Sequence, residues 1–540
     1  MSDLLRLPLG IQTFPEMRRD GYVYVDKTKY LADMYKDGKW YFLSRPRRFG
    51  KSLTVSTFDA LFSGRRELFA GLAAEEVFDL PNYRPHPVIH MDMSHVTANR
   101  DVLTAERSLT SVVMEEAENH DIEVDANMPP GDAFRRLITR LARRDGRIVV
   151  LVDEYDKPYL DLMRKSNDAG SRPSAEAIRE AIRNFYIQIK ASDKYLRFVF
   201  ITGISKFARM GVFSAMNNME DISMDKHYAA MLGYTQEELE HYFAPHIEAA
   251  AAEMGIEPRV LLDKMRAYYD GFSFDGKTML YNPFSTVSFF KKRDFGNYWF
   301  ESGTPSFIAN YLKERCATAE QFRGLEVSKD FAATPGEIAS ASAASFLYQS
   351  GYLSLRLSGR DDSYLLDYPN LEVLQSMSKL MTINILGDIE TETANMELQR
   401  AIEGRDPSAV IACFDLILAG IPYDDYVRAN AKSIMTPDVK YDEWLCRSSL
   451  LSYLRGAGIR VEAEVHGARG RADMVATRGN WTWVIELKIA HKGEDAEKLA
   501  DDAMRQIVEM GYARPYKTPA LLSVVIDGTK HSVTAFRFMA

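Results

Sequence analysis

Apolar and polar positions divide the chain into three stretches. In the first, short runs of apolar and β-branched residues without polar alternation recur: Trp40–Ser44, His86–Met93, Arg147–Asp153 and Leu196–Thr202. Such runs suit strands covered on both faces, as in a parallel sheet. Helical patterns separate them, among them Ser52–Phe62 and Ala175–Lys190. From about Tyr234 the pattern turns helical, with Thr235 placed as an N-cap and Glu238 three residues on. Aromatic-rich loops follow at Tyr268–Gly276 and Tyr281–Ser285, and residues 305–435 read as mixed and mostly helical.

The last stretch returns to alternation. A helix is expected over Asp442–Arg455 and strands over Arg460–Val465, Arg471–Thr477 and Trp481–Ile489. A helix over Glu494–Gly511 and strands over Ala520–Ile526 and Ser532–Phe538 complete it. At period two, Trp481, Trp483, Ile485, Leu487 and Ile489 share one apolar face, and Thr482, Val484, Glu486 and Lys488 share the other. On the following helix, Ala496, Leu499, Ala503, Ile507 and Met510 form the expected apolar stripe.

Length and composition add limits. At roughly 150 residues per domain, 540 residues imply three or four domains. Apolar content of 46% and charge of 26% are those of a globular protein. A net charge of −9 argues against a uniformly basic nucleic-acid coat but leaves room for a local basic groove. Cys316, Cys413 and Cys446 are far apart, imply neither a disulfide framework nor a zinc site, and suit a reducing cytoplasm. The N-terminus reads as a poor signal peptide, and no run approaches the roughly 18 apolar residues that span a bilayer. No membrane partner is expected.

Two patterns carry chemistry. The first follows the Trp40–Ser44 strand: Arg45-Pro46-Arg47-Arg48-Phe49-Gly50-Lys51-Ser52. It matches the phosphate-binding pattern GxxxxGK[ST], except that Arg45 replaces the first glycine. Turn and helix N–H groups would bind the β-phosphate, Lys51 would reach the β- and γ-phosphates, and Ser52 would ligate Mg²⁺. A lysine is disfavoured at a helix start unless it has such a task. The apolar strand ending at Asp153-Glu154 supplies the partners, Asp153 for magnesium and Glu154 as general base. Arg48, Phe49, Gly50 and Leu53 complete the expected nucleotide contacts. Thr202, at the end of the fourth strand, is the candidate γ-phosphate sensor. Arg209 could be an arginine finger, although a surface arginine is the plainer reading. Arg45 could crowd the phosphate or contribute charge.

The second pattern is Asp473, then Glu486 and Lys488 on one strand. Two charges on a strand otherwise built for a core need a partner or a task. The short turn Arg478-Gly479-Asn480 would fold the two strands into a hairpin and bring Asp473 beside Glu486. Two carboxylates with the Leu487 carbonyl make a hard-oxygen site for Mg²⁺, with Mn²⁺ as a substitute. Lys488 would orient the attacking water and offset charge in the transition state. Glu464, ranked ahead of Glu443, would complete the coordination. Gln506 could face the cleft or a phosphate, and Tyr512 could stack or hydrogen-bond. The alternative is a buried Asp473–Glu486–Lys488 ion network, a costly way to hold a strand.

The strings GIQTFPEMRRDGYVYVDKT, FLSRPRRFGKSL and LVDEYDKPY resemble the divergent AAA-ATPase-like family of bacteria and archaea. The loop without its first glycine is usual there. That resemblance spans roughly the first 220 residues and implies that Tyr24, Asp26 and Lys27 lie near the nucleotide. The later YNPFS and NYWFESGTP strings are similar to the family's downstream region and read as a packed helical lid. GARGRADMV, VIELKIA and RQIVEMGYARPY resemble the PD-(D/E)XK nuclease superfamily, in a form often fused to such an ATPase-like domain. The resemblance carries Asp473, Glu486 and Lys488 over as catalytic and Gln506 as auxiliary.

The expected fold is α/β: a P-loop NTPase-like (AAA-like) parallel sheet over 1–225, a mostly helical lid or linker over 226–435, and a restriction-endonuclease-like domain over 436–540. The expected function is cleavage of nucleic acid, DNA ahead of RNA, using Mg²⁺ under the control of ATP. The alternative is a nucleotide-switched protein whose nuclease-like domain only binds nucleic acid or a partner. A homo-oligomer is compatible with either.

Overall fold

Five parallel strands organise the N-terminal part of the protein, seen in a computed structural model. It describes residues 4–98, 101–163, 172–204, 206, 218–301, 319–333, 343–421, 441–466, 470–528 and 530–540. The strands are β1 (Trp40–Ser44), β2 (Val88–Asp92), β3 (Ile148–Asp153), β4 (Leu196–Gly203) and β5 (Glu220–Asp221). They lie in the order β2-β3-β4-β1-β5, all parallel. Every residue of β3 is buried, as its unbroken apolar run requires. On one face Phe42, Met91, Val150 and Ile201 meet the helices Val102–Asn119, Pro130–Asp145 and Arg172–Ala191. On the other, Phe198 and Phe200 pack on Phe58 and Phe62 of the helix Lys51–Phe62. The phosphate loop leaves the C-terminal end of β1, and Asp153 ends β3 at the same edge. Strand order reverses between these strands, where α/β sheets bind ligands.

The chain forms two compact units. Residues 1–303 and 326–370 make the first; residues 304–325 and 371–540 make the second. The middle stretch is therefore shared. Its early helices and a three-stranded sheet of β6 (Leu325–Ser328), β7 (Ser354–Leu357) and β8 (Ser363–Asp367), ordered β6-β8-β7, fall almost wholly in the first unit. The helices Leu371–Leu386, Asp388–Gly404 and Pro407–Ala419 belong to the second. The expected boundary between residues 435 and 436 lies outside the described residues.

The second unit is built on β9 (Arg460–His466), β10 (Arg471–Arg478), β11 (Trp481–Ala490), β12 (Ala520–Asp527) and β13 (Ser532–Met539). Their order is β13-β12-β11-β10-β9, with β11 and β12 parallel and the other pairs antiparallel. Trp483, Ile485 and Leu487 enter one core with the helices Asp388–Gly404, Pro407–Ala419 and Tyr441–Gly456. Val484 faces the other side, against Met504 and Ile507 of the helix Ala496–Met510. The period-two division of β11 thus holds, except that Trp481 at its start is 39% exposed. The helical stripe holds except at its end. Ala503 and Ile507 are buried with Ala500 and Met504, Ala496 and Leu499 pack half-buried on the cluster of Ala500, Val525 and Ala535, and Met510 is exposed.

Candidate functional site

The phosphate loop is shaped by two left-handed positions, Arg48 (φ 64°) and Gly50 (φ 95°). Gly50 starts the helix Lys51–Phe62, and glycine adopts this backbone without strain. Lys51 is buried and donates from Nζ to the carbonyls of Arg45 and Pro46, both at 3.0 Å. Burial lowers its pKa, against the attraction of Asp153 and Glu154. Asp153 is buried and accepts from the Glu154 amide at 2.8 Å. Glu154 holds a left-handed backbone (φ 49°), unusual for a non-glycine residue. Burial raises its carboxyl pKa, while Lys51 pulls it back. A half-enclosed cavity of about 450 Å³ touches Arg47, Arg48, Gly50, Lys51, Ser52, Leu53 and Glu154. Pockets for small ligands begin at about 300 Å³.

Several residues of this region take places the sequence did not foretell. Arg45 neither crowds the cavity nor faces it. Its guanidinium is buried, donates to the carbonyls of Ser44, Ser223 and Tyr228, and stacks on Phe274 at 3.8 Å. Burial lowers its pKa to about 10. Phe49 turns away too, packing on Phe272 and Phe274. Thr202 is not brought to the cavity: it is buried in the sheet, and its hydroxyl donates to the Leu43 carbonyl at 2.8 Å. Arg209 lies outside the described residues. Tyr24 and Lys27 line a smaller neighbouring cavity with Phe49 and Gly50. Lys27 pairs with Glu238 at 2.6 Å. Asp26 instead accepts from Thr28 and Ala73 amides.

Sequence reasoning missed three sets of residues. Lys157 lines the larger cavity, and the DEYDKP string was its only signal. Leu9, Ile11, Phe284 and Val287 form its apolar wall, so the YNPFS segment is part of the cavity's lining. Trp299 supports the loop from behind, donating from Nε1 to the Arg47 carbonyl at 2.9 Å.

In the second unit, the β10–β11 hairpin pairs Met474 with Ile485, and Asp473 and Glu486 each lie one residue beyond. Asp473 Oδ2 accepts from the Leu487 amide at 2.8 Å. Glu486 is buried, and Lys488 Nζ sits 3.1 Å from its Oε1. Lys488 also donates to Gln506 Oε1 at 3.0 Å, and Gln506 reaches the Tyr512 hydroxyl at 3.4 Å. The helix Ala496–Met510 thus positions the lysine through Gln506. Burial, then the neighbouring Asp473, push the Glu486 pKa up to about 7, against the pull of Lys488.

The remaining expected ligands are not assembled. Glu464 is held by Arg447 at 3.0 Å and Arg471 at 3.1 Å. Among the described residues no hydrogen bond or ion pair joins Glu443 to the cluster, and no group of three or more His, Cys, Asp or Glu residues is placed to hold a metal. One observation fits a cation nonetheless. Glu486 Oε2 is buried with no hydrogen-bond partner among the described residues. Such an oxygen carries a desolvation cost that a cation would relieve. Asp473, Glu486 and the Leu487 carbonyl form a hard-oxygen donor set.

The two sheets and their sites define a P-loop, AAA-ATPase-like module followed by a nuclease-superfamily module. Residues 8–213 match the family described as a predicted AAA-ATPase, and residues 441–535 match the PD-(D/E)XK nuclease superfamily. The chain is 32% identical over 553 residues to an uncharacterized protein in the vnfD 5′ region of Azotobacter chroococcum mcd 1, with 98% of each chain covered. It belongs to the same family as that protein. Two Aeropyrum pernix structures show slight likeness. ORC2 in ADPNP–ADP complexes is 11% identical, with a TM-score of 0.30, over 71% of this chain and 96% of that one. ORC1 in complex with DNA is 14% identical, with a TM-score of 0.25, over 68% and 96%. Neither likeness is close enough to locate a site.

Proposed function

We propose that this chain binds and hydrolyses ATP in its first unit and cleaves nucleic acid in its second, with ATP controlling the cleavage. The observation that carries the nuclease reading is the buried Glu486 oxygen beside Asp473, without a partner among the described residues, with Lys488 tethered to Gln506 on the same sheet face. Asp473, Glu486 and the Leu487 carbonyl would hold Mg²⁺ or Mn²⁺. A cation there polarises a phosphodiester and makes water a nucleophile near neutral pH. Lys488 orients the attacking water and offsets charge developing on the phosphate. Gln506 keeps the lysine in that direction.

In the first unit, Lys51 would exchange its two carbonyl partners for the β- and γ-phosphates, Ser52 and Asp153 would hold Mg²⁺, and Glu154 would orient the attacking water. The apolar wall of Leu9, Ile11 and Phe284 suits a flat heterocycle. DNA ranks ahead of RNA as the substrate to test first. No helix among the described residues is long and apolar enough to cross a membrane. A reducing cytoplasm is the proposed location, on the spacing of the cysteines in the sequence alone.

The test is cleavage of labelled single- and double-stranded DNA and RNA, with Mg²⁺ or Mn²⁺, with and without ATP, beside Lys488→Ala. Cation-dependent cleavage lost in the variant supports the reading, and its response to ATP reports on control. A folded, ATP-binding protein that cleaves none of them overturns it in favour of a nucleotide-switched binding protein. One observation favours that second reading: Glu464 is tied to two arginines and leaves the centre short of a third carboxylate.

A further inference from the structure

The nuclease centre contains a charge that the proposed mechanism does not use. Arg447, on the helix Tyr441–Gly456, is half-buried and faces Asp473 of the centre and the neighbouring Glu464. Its Nη1 lies 3.0 Å from Glu464 Oε1 and 4.0 Å from Asp473 Oδ1. Glu464 already has a second guanidinium, Arg471, on its other oxygen at 3.1 Å. Two arginines on one carboxylate exceed what pairing needs, and the surplus falls toward Asp473.

The backbone points the same way. Glu464 has a left-handed φ of 50°, costly for a residue with a Cβ. The β9–β10 register keeps the same offset at Ala472–Val465 and Met474–Ala463, which places Glu464 opposite Asp473. A strained backbone that delivers a carboxylate to an arginine beside a candidate metal site calls for a purpose beyond a surface ion pair, which is worth little.

Charge counting identifies that purpose. Asp473, Glu486 and Glu464 meet Arg447, Arg471 and Lys488, so the cation-free cluster is close to balanced. A divalent cation at Asp473 and Glu486 would leave an excess of positive charge beside it. A phosphodiester absorbs that excess, and the planar fork of a guanidinium matches phosphate oxygens.

We infer that Arg447 is a resident counter-cation of the nuclease centre: it holds Glu464 and Asp473 in the cation-free chain and transfers to a backbone phosphate of the nucleic acid when a divalent cation takes the carboxylates. This rests on the metal reading proposed above. Cation and nucleic acid then bind cooperatively, because each removes an obstacle to the other. Either one alone binds weakly, which guards against stray cleavage.

The experiment is a calorimetric Mn²⁺ titration of the full chain in four forms: wild type, Arg447→Met, Arg447→Lys and Asp473→Ala. A DNA-binding assay with and without Ca²⁺ accompanies it. Removing a unit charge near a dication should tighten Mn²⁺ binding by about tenfold or more in Arg447→Met, whereas Arg447→Lys stays near wild type. Added Ca²⁺ should strengthen DNA binding by the wild type and do so far less for Arg447→Met. Arg447→Gln repeats the measurement if the methionine variant fails to fold. Mn²⁺ affinity unchanged or weakened in the neutral variants, with binding still lost in Asp473→Ala, overturns the role of Arg447 alone. Mn²⁺ binding that survives Asp473→Ala overturns the metal site and this inference together.

Discussion

Trp299 donates its indole N–H to the carbonyl of Arg47, 252 residues earlier in the chain, and so fixes the middle of the phosphate loop from outside the sheet. Beside it, Gly351 adopts φ 88°, and a Cβ there would come within 2.5 Å of Pro46. Loop residues 45–49 are therefore clamped by Trp299 and Gly351, which do not line the cavity. Trp299→Phe keeps the ring packing on Tyr352 but loses the hydrogen bond. ATP affinity should fall about fivefold, the equivalent of about 1 kcal/mol. Titration with a fluorescent nucleotide measures it, and wild-type affinity would mean that the loop holds its shape without the tryptophan.

Restoring the usual glycine should harm this protein. Arg45→Gly leaves the carbonyls of Ser223 and Tyr228 without their donor and opens a void against Phe274. A loss of about 3 kcal/mol is expected from breaking a buried, hydrogen-bonded charge. Urea unfolding of the first unit's transition reads it directly. A neutral or stabilising result would show that the guanidinium contributes nothing to the fold.

Gln506→Ala should separate positioning from cation binding. Lys488 would lose its 3.0 Å partner on the helix and keep only Glu486. Cleavage should drop about tenfold through misplacement of the ammonium, with Mn²⁺ affinity unchanged. Glutamate at this position, which keeps an acceptor, should restore most of the rate. Equal loss in both variants would argue that the amide has another role.

The Glu486 pKa of about 7, above its ordinary value of 4.5, makes a signed prediction. The cation-free folded chain holds this proton more tightly than the unfolded one. Its stabilising effect is full below about pH 4.5 and is lost as pH rises through about 7, a change on the order of 3 kcal/mol. Glu486→Gln should remove this part of the pH dependence of unfolding measured in EDTA. Divalent cations compete with the proton, so Mn²⁺ affinity should climb with pH up to about 7 and then level off. An affinity flat from pH 5 to 8 would exclude Glu486 as a ligand.

Four strands of the first sheet and all five of the second were legible in the sequence, because burial on both faces, or on one, imposes unbroken or alternating apolar runs that are local; the two-residue β5 carries no such run. Glu486 and Lys488 stand on the face opposite Trp483, Ile485 and Leu487 by the same period of two, and a short turn after Arg478 is enough to return Asp473 to them. Lys51, Asp153 and Glu154 were legible because a helix start and a strand end mark where charges would otherwise be out of place. Tertiary structure decided the rest. Nothing near Arg45 in sequence predicts that it turns under the loop onto Phe274, and nothing near Arg447 predicts that it confronts Glu464 and Asp473. Thr202 was aimed at a phosphate by its position on β4, yet its hydroxyl went to the neighbouring strand's Leu43. Periodicity records which face of an element is buried. Which atoms meet there depends on partners as far as 252 residues away, and their packing and charge leave no local trace.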